Sequence, residues 1–233
     1  MVKALILSAG LGTRLGHITK AKPKCLVEVN NVTMLDHWLY KLSNLGVEQF
    51  LINTHYYQEL VEEFCEYHPL RDKIHLVEEK QLLGTGGTVK RNLDFFGSDD
   101  SFIVHADNYC RDNLIGMENV FQHRPDEVCL TMLTFKSENP SACGIVKTDE
   151  QNIIAEFHEK VFNPPGNTAN GAIYLCDKRF FEVVSEVEAN IFDLTREVIP
   201  KLIGKVNCFK TEEFFVDIGT PQALVKANKF ACS

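Results

Sequence analysis

Two glycines, an arginine and a lysine near the N-terminus have the types and spacing needed to hold phosphate. They lie in Leu7-Ser8-Ala9-Gly10-Leu11-Gly12-Thr13-Arg14-Leu15 and, ten residues past Arg14, at Lys24 in Lys22-Pro23-Lys24-Cys25-Leu26-Val27. Lacking Cβ atoms, Gly10 and Gly12 let backbone N–H groups come close to an anionic group. Arg14 and Lys24 add fixed positive charge. A P-loop would need Lys-Ser or Lys-Thr after its last glycine, whereas Gly12 precedes Thr13-Arg14. The dinucleotide fingerprint would need a small residue where Leu15 stands. The remaining alternative is an ordinary strand-to-loop turn.

Asp107 and Asp217 are the candidates for a hard divalent cation such as Mg²⁺, which prefers oxygen and is held by one or two carboxylates together with substrate phosphates. Each follows or ends an apolar run, so each should stand at the end of a buried strand; the alternative is an exposed turn aspartate or a helix cap. The eight histidines show no metal-ligand spacing, and His55, His105 and His158 read as partly buried strand-end residues. The eight cysteines contain no Cys-x-x-Cys pair, which argues against a thiolate zinc site or a redox motif. Free thiols in a reducing cytosol are the simplest reading. Trp38 and the pairs Phe95-Phe96, Phe180-Phe181 and Phe214-Phe215 read as core or subunit contact.

The elements that must position these residues follow from periodicity. Strands are expected at Val2–Leu7, Gln49–Asn53, Ile74–Val77 and Phe102–His105. Helices are expected near Met34–Leu45, Gln58–Glu66 and Gly86–Leu93. That alternation predicts an α/β fold, a single Rossmann-like domain with a mixed, mostly parallel sheet flanked by helices. Loops at the carboxyl ends of such strands form the ligand crevice, and the phosphate loop, Leu83–Gly87 and Ala106–Asn108 all fall there. The second half predicts strands at Val128–Phe135, Gly144–Thr148, Ile153–His158, Ala172–Leu175 and Lys205–Phe209, a helix from about Phe192 to Leu202, and a turn at Asn163–Asn167. This mixture suggests a small antiparallel subregion. One domain is expected over 1–233, with a first part at about 1–110 and a second at about 111–233.

At 233 residues and 45% hydrophobic content the chain can bury one substantial core. Its 24 basic against 32 acidic residues give a net charge of −8, without the global basic field that nucleic-acid binding exploits. Anionic substrates must be met locally. No leader-like opening and no run of eighteen apolar residues appear, so a cytoplasmic protein without membrane association is expected.

The loop resembles the signature of the nucleotidyltransferases that join sugar 1-phosphates to nucleoside triphosphates, in which Gly-x-Gly-Thr-Arg precedes Pro-Lys-Pro-Leu. Cys25 stands where the second proline usually lies. Further matches follow in order: Leu83-Gly84-Thr85-Gly86-Gly87, Ala106-Asp107-Asn108, Glu159-Lys160, Asn170-Gly171-Ala172-Ile173-Tyr174 and Val216-Asp217-Ile218-Gly219-Thr220-Pro221. Ala106 replaces the family's usual glycine. The resemblance covers nearly the whole chain, and it implies a nucleotide-binding part at about 1–110 and a sugar-phosphate-binding part at about 111–233. It implies that Leu7, Ala9, Gly10, Gly12, Thr13, Gly84, Thr85 and Asp107 meet the nucleotide, and that Arg14 holds the β- and γ-phosphates. Lys24 would hold the α-phosphate and Lys160 the sugar phosphate, with Asp107 and Asp217 on Mg²⁺. Gly144, Glu159, Asn170 and Gly171 would face the sugar, the alternative for Glu159 being a pair with Lys160 or another surface cation.

In this family a side chain about five residues before the Leu-Gly-Thr glycine reaches the base, and here it is Glu79. A carboxylate accepts two bonds side by side, which matches the N1–H and N2 amine of guanine; uracil and thymine present one donor between carbonyls. GTP is therefore the expected donor. The compact chain resembles D-glycero-D-manno-heptose 1-phosphate guanylyltransferases, with mannose 1-phosphate guanylyltransferases and short uridylyltransferases as alternatives, and a homodimer fits the resemblance. Two other classes remain open, a non-catalytic nucleotide sensor and a dinucleotide oxidoreductase. The sensor would lose the metal aspartates or Lys160, whereas the oxidoreductase would need an acidic residue where Asn53-Thr54-His55 ends its strand.

Overall fold

The branched run at the N-terminus forms the strand Val2–Leu7, in which Ala4, Leu5 and Ile6 are wholly buried. In this computed structural model, which describes residues 1–231, the fold is mixed α/β with a mostly parallel sheet flanked by helices. The chain divides into two units. One comprises Met1–Leu82, Val104–Asp112 and Glu213–Ser233, the other Leu83–Ile103 and Asn113–Glu212.

In the first unit Val2–Leu7 pairs in parallel with Val47–Thr54, which pairs in parallel with Ile74–Glu78. Buried on both faces, such strands need near-continuous apolar sequence, and Phe50, Leu51 and Ile52 supply it. The helix Met34–Asn44 starts where the Thr33 side chain accepts from the Asp36 N–H, an N-cap bond. Leu35, Trp38, Leu39 and Leu42 then recur at helical spacing and are fully buried, so Trp38 is core, as its sequence context suggests. Asn108–Cys110 pairs antiparallel with Phe215–Asp217, which brings two distant stretches of chain side by side.

The second unit contains the antiparallel pairings expected of the second half. Gly144–Thr148 pairs with Ile154–Glu159, and Leu130–Lys136 pairs with Thr168–Cys176. Val206–Lys210 runs parallel to Leu130–Lys136. Phe96 stacks on Phe181 with centroids 4.2 Å apart, a core contact. The single helix expected over 192–202 is instead two short pieces, an α-helical turn at Leu194–Glu197 and a 3-10 turn at Ile199–Leu202. Pro200 has no N–H to continue the helix, and Phe192 lies outside it because its carbonyl accepts from Gly86 and Gly87.

Among the described residues no helix is long and apolar enough to cross a membrane. Seven cysteines are free thiols, and Cys232 lies outside the described residues. Burial pushes the thiols of Cys25, Cys65 and Cys110 up to about 12, so they stay protonated and poorly nucleophilic near neutrality. A thiol reagent applied at pH 8 is therefore expected to label these three only as fast as the protein opens, and at full rate in denaturant. Mass spectrometry of the labelled peptides checks this; fast native labelling of Cys25 would contradict the packing described.

Candidate active site

In the first unit three segments distant in sequence deliver four charged groups to one place. Pro23, extended at φ −68°, leads into a short 3-10 turn, Lys24–Leu26, which directs Lys24 inward; its side chain is only 9% exposed. The Lys24 ammonium pairs with Asp107 Oδ2 and lies 3.2 Å from Asp217 Oδ1. Arg14, far more exposed, places Nη2 3.6 Å from Asp217 Oδ2. Asp217 ends its short strand beside Ile218, a fully buried core residue next to Leu15, Val27 and Met34. Burying Ile218 leaves Asp217 on the more open side. The Ile218 N–H donates to the Asp107 carbonyl at 2.9 Å, so the two aspartates are tied through backbone as well. Burial pushes the Asp107 carboxyl up, but Lys24 and then His105 outweigh it, and the group is held below the usual carboxylate range.

Gly219 sits against this cluster. A Cβ there would lie 2.8 Å from Asp217 Oδ1, 2.9 Å from Arg14 Nη2 and 3.0 Å from Lys24 Nζ. Its N–H also donates to Asp217 Oδ1 at 2.7 Å. The phosphate-loop glycines have different roles. Gly12 adopts φ +65°, which disfavours a side chain, and its carbonyl accepts from Leu15 N–H and the Thr19 hydroxyl. Gly10 is exposed, and a Cβ there would meet nothing within 4 Å. The loop leads into 3-10 turns, Thr13–Lys20, broken at Gly16 (φ 61°), so it does not open an α-helix as a dinucleotide loop does. Ala106 has no positive φ, and its N–H donates to Leu7 O, so alanine is accommodated without backbone strain.

Glu79 is 2% exposed, and its N–H extends the strand ladder by donating to Thr54 O at 2.8 Å. Its Oε1 accepts from Asn53 Nδ2 at 2.9 Å. Asn53 Oδ1 in turn accepts from the Ser8 N–H at 2.7 Å, and the Ser8 hydroxyl donates to Asn53 O.

In the second unit Gly84 has φ +74°, and a Cβ there would lie 2.5 Å from Phe192 O. Gly86 and Gly87 make similar room for Phe192 and Asn190. Thr85 N–H donates to Asp193 Oδ1, and its hydroxyl accepts from Leu194 N–H. Gly144 faces Glu159 across the antiparallel pair; a Cβ at 144 would lie 2.7 Å from Glu159 Oε2. Lys160 follows with φ 50°, its N–H donating to Cys143 O and its ammonium 3.4 Å from Glu159 Oε1. The Lys160 side chain is 59% exposed, so this pair adds little stability and the ammonium faces solvent. The pairing of Thr168–Cys176 shifts register between Asn170 and Tyr174, a bulge around Gly171 with Ala172 at φ 51°. The Asn170 amide spans it, Oδ1 accepting from Ala172 N–H at 2.8 Å and Nδ2 donating to the Tyr174 hydroxyl at 2.7 Å.

Of the residues expected from sequence, the first unit thus brings Arg14, Lys24, Asp107 and Asp217 together, with Leu7, Ala9, Gly10, Gly12 and Thr13 in the loop that precedes Arg14. Glu79 forms a separate group with Asn53 and Ser8. The second unit brings Gly144, Glu159 and Lys160 together and sets Asn170 and Gly171 on a bulge. Sequence reading missed Gly219 and Asn53. Gly219 was signalled by its place two residues after Asp217; Asn53 carries no comparable mark. Among the described residues no three His, Cys, Asp or Glu side chains cluster as a metal site.

The family model described as "Nucleotidyl transferase" matches residues 3–233. The chain is 30% identical over 222 residues to a D-glycero-alpha-D-manno-heptose 1-phosphate guanylyltransferase of Campylobacter jejuni, covering 95% of this chain and 96% of that protein. It is 30% identical over 229 residues to a mannose-1-phosphate guanyltransferase of Neurospora crassa, covering 95% of this chain and 62% of that one. The crystal structure of HddC from Yersinia pseudotuberculosis complexed with GMP-PN shares the fold, with a TM-score of 0.78 and 22% identity over 98% of this chain and 99% of that one.

Two glycine substitutions separate fold from site. Gly12→Ala forces a side chain into left-handed backbone and is expected to cost about 1 kcal/mol or more of stability. At Gly219 the crowded atoms are ends of flexible side chains, so Gly219→Ala should leave the melting temperature near wild type while displacing the Arg14–Lys24–Asp217 cluster. Its turnover should fall at least about tenfold, equivalent to 1.4 kcal/mol of barrier. Denaturant titration and steady-state kinetics on both variants check this; wild-type turnover in Gly219→Ala would contradict it.

Proposed function

Because the chain belongs to the nucleotidyl transferase family and is an enzyme of that class, we propose that it transfers GMP from GTP to a sugar 1-phosphate, releasing pyrophosphate. A manno-heptose 1-phosphate is the preferred acceptor and mannose 1-phosphate the alternative. The observation that carries the reading is the convergence of Asp107 and Asp217 on the Lys24 ammonium, with Arg14 beside them.

The reaction needs an oxygen of the sugar phosphate to attack the α-phosphorus in line, with pyrophosphate leaving on the opposite side. No protein nucleophile is required. The barrier lies in bringing two polyanions together and in the charge on the leaving group, so catalysis consists of positioning and electrostatic stabilisation. Arg14 bears on the β- and γ-phosphates, Lys24 on the α-phosphate and Lys160 on the acceptor phosphate, one cation for each anionic centre. Lys24 is held in place by its carboxylates before substrate arrives, so little reorganisation is needed at that atom. An added Cβ at Gly10 meets nothing in the protein, which fits a glycine kept free for backbone to approach phosphate.

Asp107 and Asp217 fit Mg²⁺: both are oxygen donors, and both already converge on one cation. When bound, Mg²⁺ neutralises phosphate charge and polarises the phosphoryl oxygens. With two carboxylates the protein supplies an incomplete ligand set, to be filled by phosphate and water. Glu79 reads guanine, its carboxylate accepting from N1–H and N2.

Pyrophosphate release measured over a panel of nucleoside triphosphates and sugar 1-phosphates tests this reading. GTP with a manno-configured sugar 1-phosphate should be the best pair, with activity lost in EDTA and nearly abolished by Asp107→Ala or Asp217→Ala. Full activity in EDTA would overturn the metal assignment. Lys160→Ala should weaken use of the sugar phosphate and Arg14→Ala use of the triphosphate, each by roughly ten- to a hundredfold for one lost charge-assisted contact. Unchanged sugar-phosphate dependence in Lys160→Ala would remove its assigned role.

A further inference from the structure

In the second unit the chain between Lys160 and Asn167 is hydrogen-bonded at its two ends and nowhere between. At one end the Lys160 N–H donates to Cys143 O at 3.1 Å; at the other the Ser137 N–H donates to Asn167 O at 2.9 Å. The two anchors are neighbours, because the Ser137 hydroxyl and the Cys143 thiol lie 3.3 Å apart. Residues 161–166 form no helix or strand, and none of them makes a hydrogen bond to another described residue. A segment so sparsely bonded opens at little cost. Pro164 and Pro165 fix their own φ angles and keep Asn163 out of helical backbone, so the middle is stiff and bending falls to the ends. One end is Lys160, in left-handed backbone at φ 50°; the other is Gly166, where a Cβ would meet nothing within 4 Å.

This segment carries Phe162, which at 91% is the most exposed large apolar side chain among the described residues. A lone apolar side chain on a surface needs no explanation of its own. Phe162 differs in what stands beside it. It lies two residues from Lys160, so their Cα atoms are at most about 7 Å apart, and the Lys160 ammonium faces solvent. The residues read as facing the sugar, Gly144, Glu159, Asn170 and Gly171, bring charge, an amide and bare backbone but no apolar side chain. The ring of Phe157 is half-buried against Gly144 already. A sugar presents C–H faces as well as hydroxyls, and small-molecule sites combine a few polar groups with apolar and aromatic walls.

We propose that Phe162 is an acceptor-binding residue: segment 161–166 closes over the sugar whose phosphate Lys160 holds, and Phe162 covers a C–H face of the ring. The proposal rests on the reading of Lys160 as the cation for the acceptor phosphate. Closure takes a phenyl ring out of water only in the complex, which favours the bound state. Residues 161–166 give up no hydrogen bond to the rest of the protein in closing, so the opposing term is the freedom of the segment itself. Phe162 has no hydrogen-bonding group, so it adds affinity for a sugar ring without reading its hydroxyls, and it adds nothing for phosphate alone.

Kinetics on wild type, Phe162→Ala, Phe162→Trp and Lys160→Ala, with melting temperatures alongside, test this. Phe162 is almost wholly exposed, so Phe162→Ala should melt with wild type. Its KM for the sugar 1-phosphate should rise about tenfold, equivalent to 1.4 kcal/mol, with KM for GTP unchanged. Phe162→Trp keeps an aromatic face and should stay near wild type. Inorganic phosphate competing with the sugar 1-phosphate should inhibit Phe162→Ala as it inhibits wild type, and inhibit Lys160→Ala more weakly. Hydrogen exchange at residues 161–166 should slow when the sugar 1-phosphate is added to wild type, and not in Phe162→Ala. An unchanged KM for the sugar 1-phosphate in Phe162→Ala, with Lys160→Ala still weakened, overturns the proposal and leaves Lys160 in its role. Equal weakening of both substrates, a change confined to oligomeric state, or exchange that does not slow in wild type overturns it as well. Unchanged use of the sugar 1-phosphate by Lys160→Ala, or no use of any sugar 1-phosphate by wild type, overturns the underlying reading and this proposal with it.

Discussion

One ammonium group shared by two carboxylates organises the candidate site of the first unit. Lys24 lies 83 positions from Asp107 and 193 from Asp217, and only a fold that closes both loops can make the pair of contacts. Lys24 is nearly buried, and leaving its charge without partners would be expensive, so the cluster also constrains the backbone around it. Every neighbouring feature accommodates this arrangement: Pro23 sets the entry of Lys24, buried Ile218 sets the direction of Asp217, and Gly219 leaves the space into which a side chain would intrude. In the absence of substrate two positive groups balance two negative ones. In the proposed reaction a triphosphate would bring negative charge and a metal positive charge, to be shared among the same four groups.

The two units solve different problems with different backbone. In the first, a long loop after a parallel strand and a short antiparallel pair present the charged groups, which long-range pairs hold together. In the second, antiparallel pairing admits irregularity: a bulge at Gly171, left-handed backbone at Lys160 and Ala172, and a glycine at 144 opposite Glu159. Such devices redirect side chains locally and depend on a few residues.

Much of this was legible in the sequence. Branched runs located the parallel strands, and Leu35, Trp38, Leu39 and Leu42 located a helix and its buried face. Arg14, Lys24, Asp107 and Asp217 could be singled out by type and motif. Their closure around one ammonium could not, because spacing along a chain does not say which carboxylate meets which cation. Asn53 was invisible for a different reason: the sequence marked it only as a strand end without an acidic residue, and its link to Ser8 and Glu79 exists only across three paired strands. The helix expected over 192–202 failed where periodicity competed with Pro200 and with the Phe192 carbonyl, which is used to hold Gly86 and Gly87. The glycines of Leu83–Gly87 were read for a ligand, and the structure adds a second requirement on them, the close approach of Asn190 and Phe192.

In the proposed reaction the cluster directs attack to the α-phosphorus of a triphosphate and not to its terminal phosphorus. Two preparations of GTP, radiolabelled at either the α- or the γ-phosphate and incubated with Mg²⁺ and a manno-configured sugar 1-phosphate, test it most directly. The α-label should enter the sugar product while the γ-label leaves as pyrophosphate. Appearance of the γ-label in the sugar product, or release of the γ-label as orthophosphate with the α-label left in GDP, would contradict it.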